Sequence, residues 1–512
     1  MTGPGLSPGP EVLANRLPEL LAPVLGPGLS VGRVEPLSGG ASRQTWGVLV
    51  HGSDGRAHDL VLRTGRPGDP GDLNPGLELE AASQRAAAAA GMPVPAMLCV
   101  SDSLDALGCQ YLISARVPGE TIPRRVLRAL CTGHTGHTGA GDARGKLLAQ
   151  CATALAALHA ADPDGVPGLP GDDPLMLWRD RMDAVGQPSA VFEVALRWLL
   201  RHRPPPGGTA IVHGDFRLGN LIVDESGLAA VLDWELVHRG DPLEDLGWFC
   251  VRAWRFGEDD RPAGGLGSVE EFLAGYERAA GAPVDRDAVR WWQVLGTLRW
   301  GVICQHQAHR HLSGQTPSVE LAAIGRRACE NEWDLLGLLD PLDPLAAHGT
   351  GTRVVIQHPD AGHPGHGHPA DGHPADGHLV YGHLVYGRPT LGELVAAVRQ
   401  SLADAATGQG PAVSGYGARV AANVLAIVER ELTRGPADQR GYAEVLARLG
   451  AADETALAAE IRAGRRDHQL AEIAAEFRAV VATRLAVAHP GYATPLAGTA
   501  RPDTARPRPG AR

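Results

Sequence analysis

Ile211-Val212-His213-Gly214-Asp215-Phe216-Arg217-Leu218-Gly219-Asn220 runs on into Leu221-Ile222-Val223, the turn Asp224-Glu225-Ser226-Gly227, Ala229 to Leu232, and Asp233-Trp234-Glu235. Two short apolar stretches around a Glu-Ser-Gly turn predict a β-hairpin. If it closes in register, Asn220 and Asp233 stand across from one another at its open end. Neighbouring strands lie about 4.8 Å apart, so an amide oxygen and a carboxylate there can share one hard cation. Magnesium, which prefers oxygen ligands and keeps substrate phosphates in its shell, is the natural candidate. Asp215 lies just ahead of the hairpin on the same loop, and such a carboxylate accepts a proton from, or orients, an attacking hydroxyl. The plain alternative for all three residues is a set of turn and cap positions, since Asp and Asn favour loops.

Upstream, Val31 to about Thr64 reads as strand, Gly-rich turn, strand, turn, strand, with Thr45 to Val50 and Asp59 to Leu62 flanking the Ser53-Asp54-Gly55 turn. Glu78 to Ala90 is Ala-rich and free of Pro, hence a helix. Gly91-Met92-Pro93-Val94-Pro95 stops it before another strand near Gln110 to Ser114. The order β-β-β-α-β describes a small antiparallel-sheet lobe. Its Leu37-Ser38-Gly39-Gly40-Ala41-Ser42 turn offers small residues that let backbone N–H groups approach phosphates.

His-x-Asp-x-x-x-x-Asn with a downstream Asp resembles the catalytic and metal loops of the protein-kinase-like fold. The wording His213-Gly214-Asp215, Leu232-Asp233-Trp234-Glu235 and Gly240-Asp241-Pro242-Leu243-Glu244-Asp245-Leu246 is similar to the aminoglycoside phosphotransferase family. Within it the chain most resembles the branch that includes the kinase-like domains fused to acyl-CoA dehydrogenases. The likeness covers about residues 25 to 340, with four motifs in the expected order. It implies ATP and Mg2+ as cofactors, Asp215 as catalytic base, His213 as support of the catalytic loop, and Asn220 and Asp233 as magnesium ligands. It also implies that Ser38, Gly39 and Gly40 lie over the phosphates. Arg63 ends a strand where many family members carry a phosphate-binding lysine, and Glu80 on the next helix is its implied ion-pair partner. Lys146 is the only lysine in the chain, so arginine takes that place, although its planar fork is not equivalent to an ammonium. Tyr111 to Gly119, with Ser114 and Arg116, becomes the hinge whose backbone reads the adenine edge.

Beyond Gly119 the pattern is helical, as at Gly145 to Ala160 and Phe192 to His202, interrupted by the low-complexity insert Cys131 to Gly139. Helices dominate to Leu339 apart from the hairpin. Asp241 and Asp245 open a helix and read as caps. Trp248, Trp254, Trp291, Trp292, Trp300 and Trp333 read as buried core. Arg252, Arg255, His306, His309 and Arg310 are candidates for lining a cleft for an anionic or CoA-like molecule. From Leu345 to Arg388 the character changes, with His363, His368, His373, His378 and His383 recurring every five residues. Imidazoles in such a tract can bind zinc, nickel or copper, and imperfect copies equally make a lengthened linker. Thr390 and Glu393 have capping-box spacing ahead of Leu394, Val395, Val398 and Leu402. Val420, Val424, Ile427, Val428 and Leu432, then Leu470, Ile473, Phe477 and Val481, continue at helical spacing.

The 512 residues carry 47 Lys+Arg against 58 Asp+Glu, a net charge of −11. That balance disfavours nucleic-acid or anionic-membrane surfaces. Seven scattered cysteines without a C-x-x-C pair argue against a disulfide framework or zinc ribbon. With no signal-like amino terminus and no long apolar run, the expectation is a cytoplasmic protein without membrane insertion.

The reading is therefore α+β, a bilobal protein-kinase-like fold with a small antiparallel-sheet N-lobe and a helical C-lobe, followed by a separate all-α C-terminal domain. The boundaries are 1–24 (N-terminal segment), 25–118 (N-lobe), 119–340 (C-lobe), 341–388 (His/Gly/Pro-rich linker), 389–490 (helical accessory domain) and 491–512 (disordered tail). The expected activity moves the γ-phosphoryl group of ATP to a hydroxyl of a small molecule, with a hydroxyacyl-CoA-like metabolite favoured. The alternatives are a nucleotide-binding pseudokinase scaffold and an aminoglycoside-type antibiotic kinase. A protein partner or self-association is expected through the C-terminal helical domain, and no nucleic-acid partner.

Overall fold

The computed structural model describes residues 8–37, 43–65, 76–132, 140–339, 385–407 and 415–493. In chain order its elements begin α1 (Pro10–Leu25), β1 (Ser30–Leu37), β2 (Gln44–His51), β3 (Ala57–Gly65), α2 (Leu77–Ala89), β4 (Met97–Ser101), β5 (Gln110–Ala115), α3 (Pro123–Thr132), α4 (Ala140–Ala160), α5 (Pro174–Val185) and α6 (Ala190–Arg201). Then come β6 (Ala210–Val212), β7 (Leu221–Asp224), β8 (Gly227–Val231), β9 (His238–Gly240), α7 (Leu243–Phe249), α8 (Val269–Ala280), α9 (Arg286–Leu312), α10 (Val319–Gly325) and α11 (Ala328–Leu338). The chain closes with α12 (Leu391–Thr407), α13 (Gly415–Arg448), α14 (Glu454–Arg462) and α15 (Leu470–Ala488). The described residues fall into two compact units: those up to 178 with 202–297, and 179–201 with those from 298 to 493.

In the first unit β1 to β5 form an antiparallel sheet in the order β1-β2-β3-β5-β4. Strand residues alternate between faces. Leu60 and Leu62 of β3, with Trp46, Val48 and Val50 of β2 and Ile113 of β5, therefore share one face. It is covered by Leu13, Leu17 and Leu21 of α1. Arg63 falls on the opposite face, paired in register with Leu112, where Leu77 and Ala81 of α2 pack. The lobe thus differs from the expected β-β-β-α-β by one strand, β4, and by α1, which takes up Pro10–Leu25 where only an N-terminal segment was expected. Ser38, Gly39, Gly40 and the repeat histidines lie outside the described residues.

The helical part of this unit is built on α4, whose Leu147, Leu148, Cys151, Leu155 and Leu158 are buried and which packs along α8, where Gly275 approaches Ala152. The hairpin β7–β8 closes with Leu221 opposite Val231 and Asp224 opposite Gly227. Gln150 of α4 clamps its turn, donating to the Ser226 carbonyl at 3.1 Å and accepting from the Leu228 N–H at 3.0 Å. Two further short strands, β6 and β9, pair with each other, and β6 leads into the loop that carries Asp215.

The second unit joins α6, α10 and α11 to the C-terminal helices. Ala322 of α10, Leu394 and Val398 of α12, Val424, Ile427 and Val428 of α13 and Val487 of α15 share one core. The capping box of α12 is formed, Thr390 N–H donating to Glu393 and Glu393 N–H to the Thr390 hydroxyl. Deeper in this unit Arg484 of α15 pairs with both Glu332 of α11 and Glu454 of α14. Ser189 also donates to Glu332, and Tyr442 of α13 to Glu454. The side chains of Arg484 and Glu332 are 8% and 5% exposed. Among the described residues no helix is long and apolar enough to cross a membrane, and all seven cysteines are free thiols.

Candidate active site

The loop from β6 to β7 is fastened at its start. The His213 and Gly214 N–H groups donate to the two carboxylate oxygens of Asp245 at 2.8 and 2.9 Å. Asp245 is fully buried in the first turn of α7. His159 of α4 donates from Nε2 to the same carboxylate at 3.2 Å and accepts from the Tyr276 hydroxyl at Nδ1. Burial alone would push the Asp245 carboxyl up, but His159, His213 and the backbone donor hold it below the ordinary value. Asp245 is thus a loop anchor and not the helix cap expected from sequence. Asp241 does act locally, accepting from the Leu243 N–H, and also ties in Gly207.

His213 lies beneath the loop, donating from Nε2 to the Leu232 carbonyl and accepting at Nδ1 from the Asp215 N–H. That pattern fixes one neutral tautomer. Burial keeps the imidazole's pKa below its ordinary value, against the opposing pull of Asp245, Asp215 and Asp233. Trp234 packs on the ring with centroids 4.7 Å apart. His213 thereby links the loop that carries Asp215 to the strand end that carries Asp233.

Three donors converge on the Asp215 carboxylate. Arg217 Nε lies 3.0 and 3.2 Å from its two oxygens, Asn220 Nδ2 is at 2.6 Å, and Trp248 Nε1 is at 3.0 Å. Asn220 Nδ2 also donates to the Asp215 carbonyl. Its Oδ1 accepts no hydrogen bond among the described residues. At the open end of the hairpin Asn220 is joined through its carbonyl to the Leu232 N–H, so Asp233 stands one residue beyond the position directly opposite. Asp233 has φ +65°, a left-handed conformation that Asp tolerates better than most residues. Its side chain is 34% exposed and meets Arg63 Nη2 at 3.4 Å.

Arg63 Nη1 also donates to Glu80 at 3.1 Å, and Glu80 is fully buried. Arg43, just ahead of β2, takes the other Glu80 oxygen. The structure thus brings together His213, Asp215, Asn220, Asp233, Arg63 and Glu80. It does not bring in Arg116, whose side chain faces Glu35 and Asp59 near solvent, and it places Ser114 within β5, paired with Val61 and Met97. Of the cleft candidates, Arg252 is tied to Asp259 and Arg255 to backbone carbonyls. His306, His309 and Arg310 belong to the second unit.

Sequence reasoning missed Arg43, Trp248 and the anchoring role of Asp245. No local spacing marks Arg43 or Trp248. Asp245 stood in a quoted motif, and the signal available was its type and its place in the first turn of a helix after a loop rich in unpaired backbone donors.

An antiparallel sheet with one helix inserted, a helical lobe, and acidic and amide side chains converging on a loop and hairpin define a kinase-like phosphotransferase architecture. The model of the phosphotransferase enzyme family (APH) matches residues 33–292, just over half of the chain, and the chain belongs to that family. Residues 409–492 match a domain of unknown function, DUF6285. Among curated proteins the chain is similar to acyl-CoA dehydrogenase family member 10 of Mus musculus, 27% identical over 54% of this chain and 27% of that protein. It is also similar to family member 11 of Gallus gallus, 28% identical over 51% of this chain and 33% of that protein. The match therefore spans about a quarter to a third of the length of these relatives. Among solved structures it is similar to a Ralstonia eutropha protein described as an aminoglycoside phosphotransferase (TM-score 0.49, 22% identity, 63% of this chain and 97% of that chain).

Proposed function

We propose that this chain is an ATP- and magnesium-dependent phosphotransferase that moves the γ-phosphoryl group to a hydroxyl of a small molecule. The observation that carries the reading is the convergence of Arg217, Asn220 and Trp248 on the Asp215 carboxylate, beside an Asn220 Oδ1 that accepts no hydrogen bond among the described residues. Three donors hold the carboxylate in one orientation, which is what a group that must meet an incoming hydroxyl requires. Asp215 takes the hydroxyl proton as the new O–P bond forms and the bond to the β-phosphate oxygen breaks.

Asn220 Oδ1 and Asp233 are hard oxygen donors and suit magnesium. Among the described residues no three His, Cys, Asp or Glu side chains gather as a closed metal cage, and a two-ligand set completed by substrate phosphates is how magnesium is commonly held. When bound there, the ion supplies charge neutralisation to the phosphates. Arg63, braced by Glu80, presents a cation to phosphate oxygens from the sheet side, and Ser38, Gly39 and Gly40 would cover them. The hinge at Tyr111 to Gly119 would take the adenine. A hydroxylated acyl compound or another lipid-derived alcohol is the favoured acceptor, in keeping with the curated relatives named for acyl-CoA dehydrogenases.

The test is a pair of variants. Asp215→Ala is expected to retain ATP binding and lose transfer by about a thousandfold, whereas Asp233→Ala loses magnesium-dependent nucleotide binding measured by thermal shift. Full transfer activity in both variants overturns the assignment. Nucleotide-induced stabilisation of the wild type without transfer to any acceptor favours a nucleotide-binding scaffold.

A further inference from the structure

Arg217 follows Asp215 by two residues and sits in an extended conformation, φ −155° and ψ 159°. In extended chain, residues two apart share a side. Phe216 between them is fully buried and packs against Phe249, while Arg217 turns towards the catalytic carboxylate. Its Nε bonds both oxygens of Asp215. Its guanidinium lies over the ring of Trp254, with Cζ 4.8 Å from the centroid, a cation–π arrangement that fixes the plane of the fork. Gly219 leaves the room: a methyl group there would collide with Arg217 Nη1. Among the described residues neither Nη has a hydrogen-bond partner, and the side chain is 25% exposed. A two-donor fork, three-quarters buried, is thus held beside the group that receives the acceptor's proton.

The geometry points to Arg217 as the residue that selects the acceptor: its two free Nη groups bind an anionic oxygen carried near the reacting hydroxyl and turn away polycationic acceptors. This rests on the phosphotransferase reading above. The donor phosphates already have a cation in Arg63, which comes from the sheet and reaches Asp233. Arg217 is held instead by Trp254, from the turn Arg252–Arg255 of the helical lobe. In-line transfer places the incoming and departing oxygens on opposite sides of phosphorus. A fork locked to Asp215, the group that meets the incoming hydroxyl, stands on the acceptor side. An ammonium brought to the Nη groups loses water and meets only donors, while a carboxylate gains two parallel hydrogen bonds.

The test compares 3-hydroxybutyrate, its neutral counterpart 1,3-butanediol and the polycation kanamycin, as ligands and as acceptors for the full-length chain with ATP and magnesium. The wild type is expected to bind 3-hydroxybutyrate at least tenfold more tightly than 1,3-butanediol, with kanamycin weakest. Arg217→Gln brings the two small probes within twofold and leaves the KM for ATP within twofold; Arg217→Lys retains part of the preference, and Gly219→Ala weakens it by displacing the fork. The inference is overturned by a wild type that binds none of the probes or shows no preference for the anion. It is equally overturned if Arg217→Gln raises the KM for ATP and slows transfer to every acceptor alike, which marks a contact with the γ-phosphoryl group. A wild type that shows the preference in binding but transfers phosphate to nothing removes the phosphotransferase reading and leaves Arg217 as an anion-selecting residue.

Discussion

At Asp215 and His213 two side chains with opposite needs share a few ångströms of loop. The carboxylate is useful because three donors aim it; the imidazole is useful because it is neutral, accepting one hydrogen bond at Nδ1 and donating one from Nε2. A second proton on His213 would abolish the bond from the Asp215 N–H. Because burial depresses its pKa below 6.5, the unfolded chain takes up that proton more readily than the folded one. The stability contributed is complete above pH 6.5 and drains away as pH falls from there towards the folded-state value. Unfolding by denaturant between pH 7.5 and 5.5 is expected to show the loss, at up to about 1.4 kcal/mol per pH unit, and His213→Gln to remove that part of the slope. A variant with the wild-type slope contradicts the assignment of the neutral form. Residues on this loop and hairpin were legible because they are neighbours in sequence, so type and spacing carry their geometry. Trp248, 33 positions from the carboxylate it orients, was not, because an indole at helical spacing looks the same whether its N–H meets a side-chain carboxylate or a backbone carbonyl.

Elements meet at the hairpin. Glu120 pairs through both backbone groups with Val223 of β7, so the segment after β5 is stitched to the strand that follows Asn220. Gly119 makes the approach feasible at φ +147°: a Cβ there would lie 2.5 Å from Ile222 Cγ2 and 2.9 Å from the Val223 carbonyl oxygen. Gly119→Ala is expected to cost about 2 kcal/mol in denaturant unfolding and to weaken nucleotide binding by shifting the hinge off the hairpin; unchanged stability would show that the contact yields freely. The sheet was mostly legible, since β2 and β3 alternate and flank a Ser-Asp-Gly turn. Two elements escaped for identifiable reasons. Met97–Ser101 is half-buried throughout, with no alternation to read. In α1 the Leu13, Leu17 and Leu21 stripe is masked by Pro10, Pro18 and Pro23, of which the last two lie inside the helix.

At the scale of the whole molecule, composition and compactness divide the chain differently. The sequence changes character at the His-rich tract, and boundaries at 340 and 389 follow that change. Contacts instead gather α6, α10 and α11 with the helices beyond the tract. The buried Arg484 is where this shows most sharply, bonding Glu332 from before the tract and Glu454 from after it. Arg484→Met strands two carboxylates in the interior and is expected to destabilise the chain by about 3–5 kcal/mol, read as a lower denaturant midpoint. A midpoint within error of wild type would mean that water already reaches the pair. Helical periodicity announced each of these helices; which helix covers which depends on contacts between segments far apart in sequence, and periodicity carries no such information.

That arrangement bears on how the protein is made. Helix α6, in which Val191, Phe192 and Leu196 are buried, leaves the ribosome roughly 290 residues before α15, one of the helices packed on it. At about 5–20 residues per second, this greasy surface waits on the order of 15–60 s for its cover. Until then this face is the part of the growing chain that a holdase chaperone would grip.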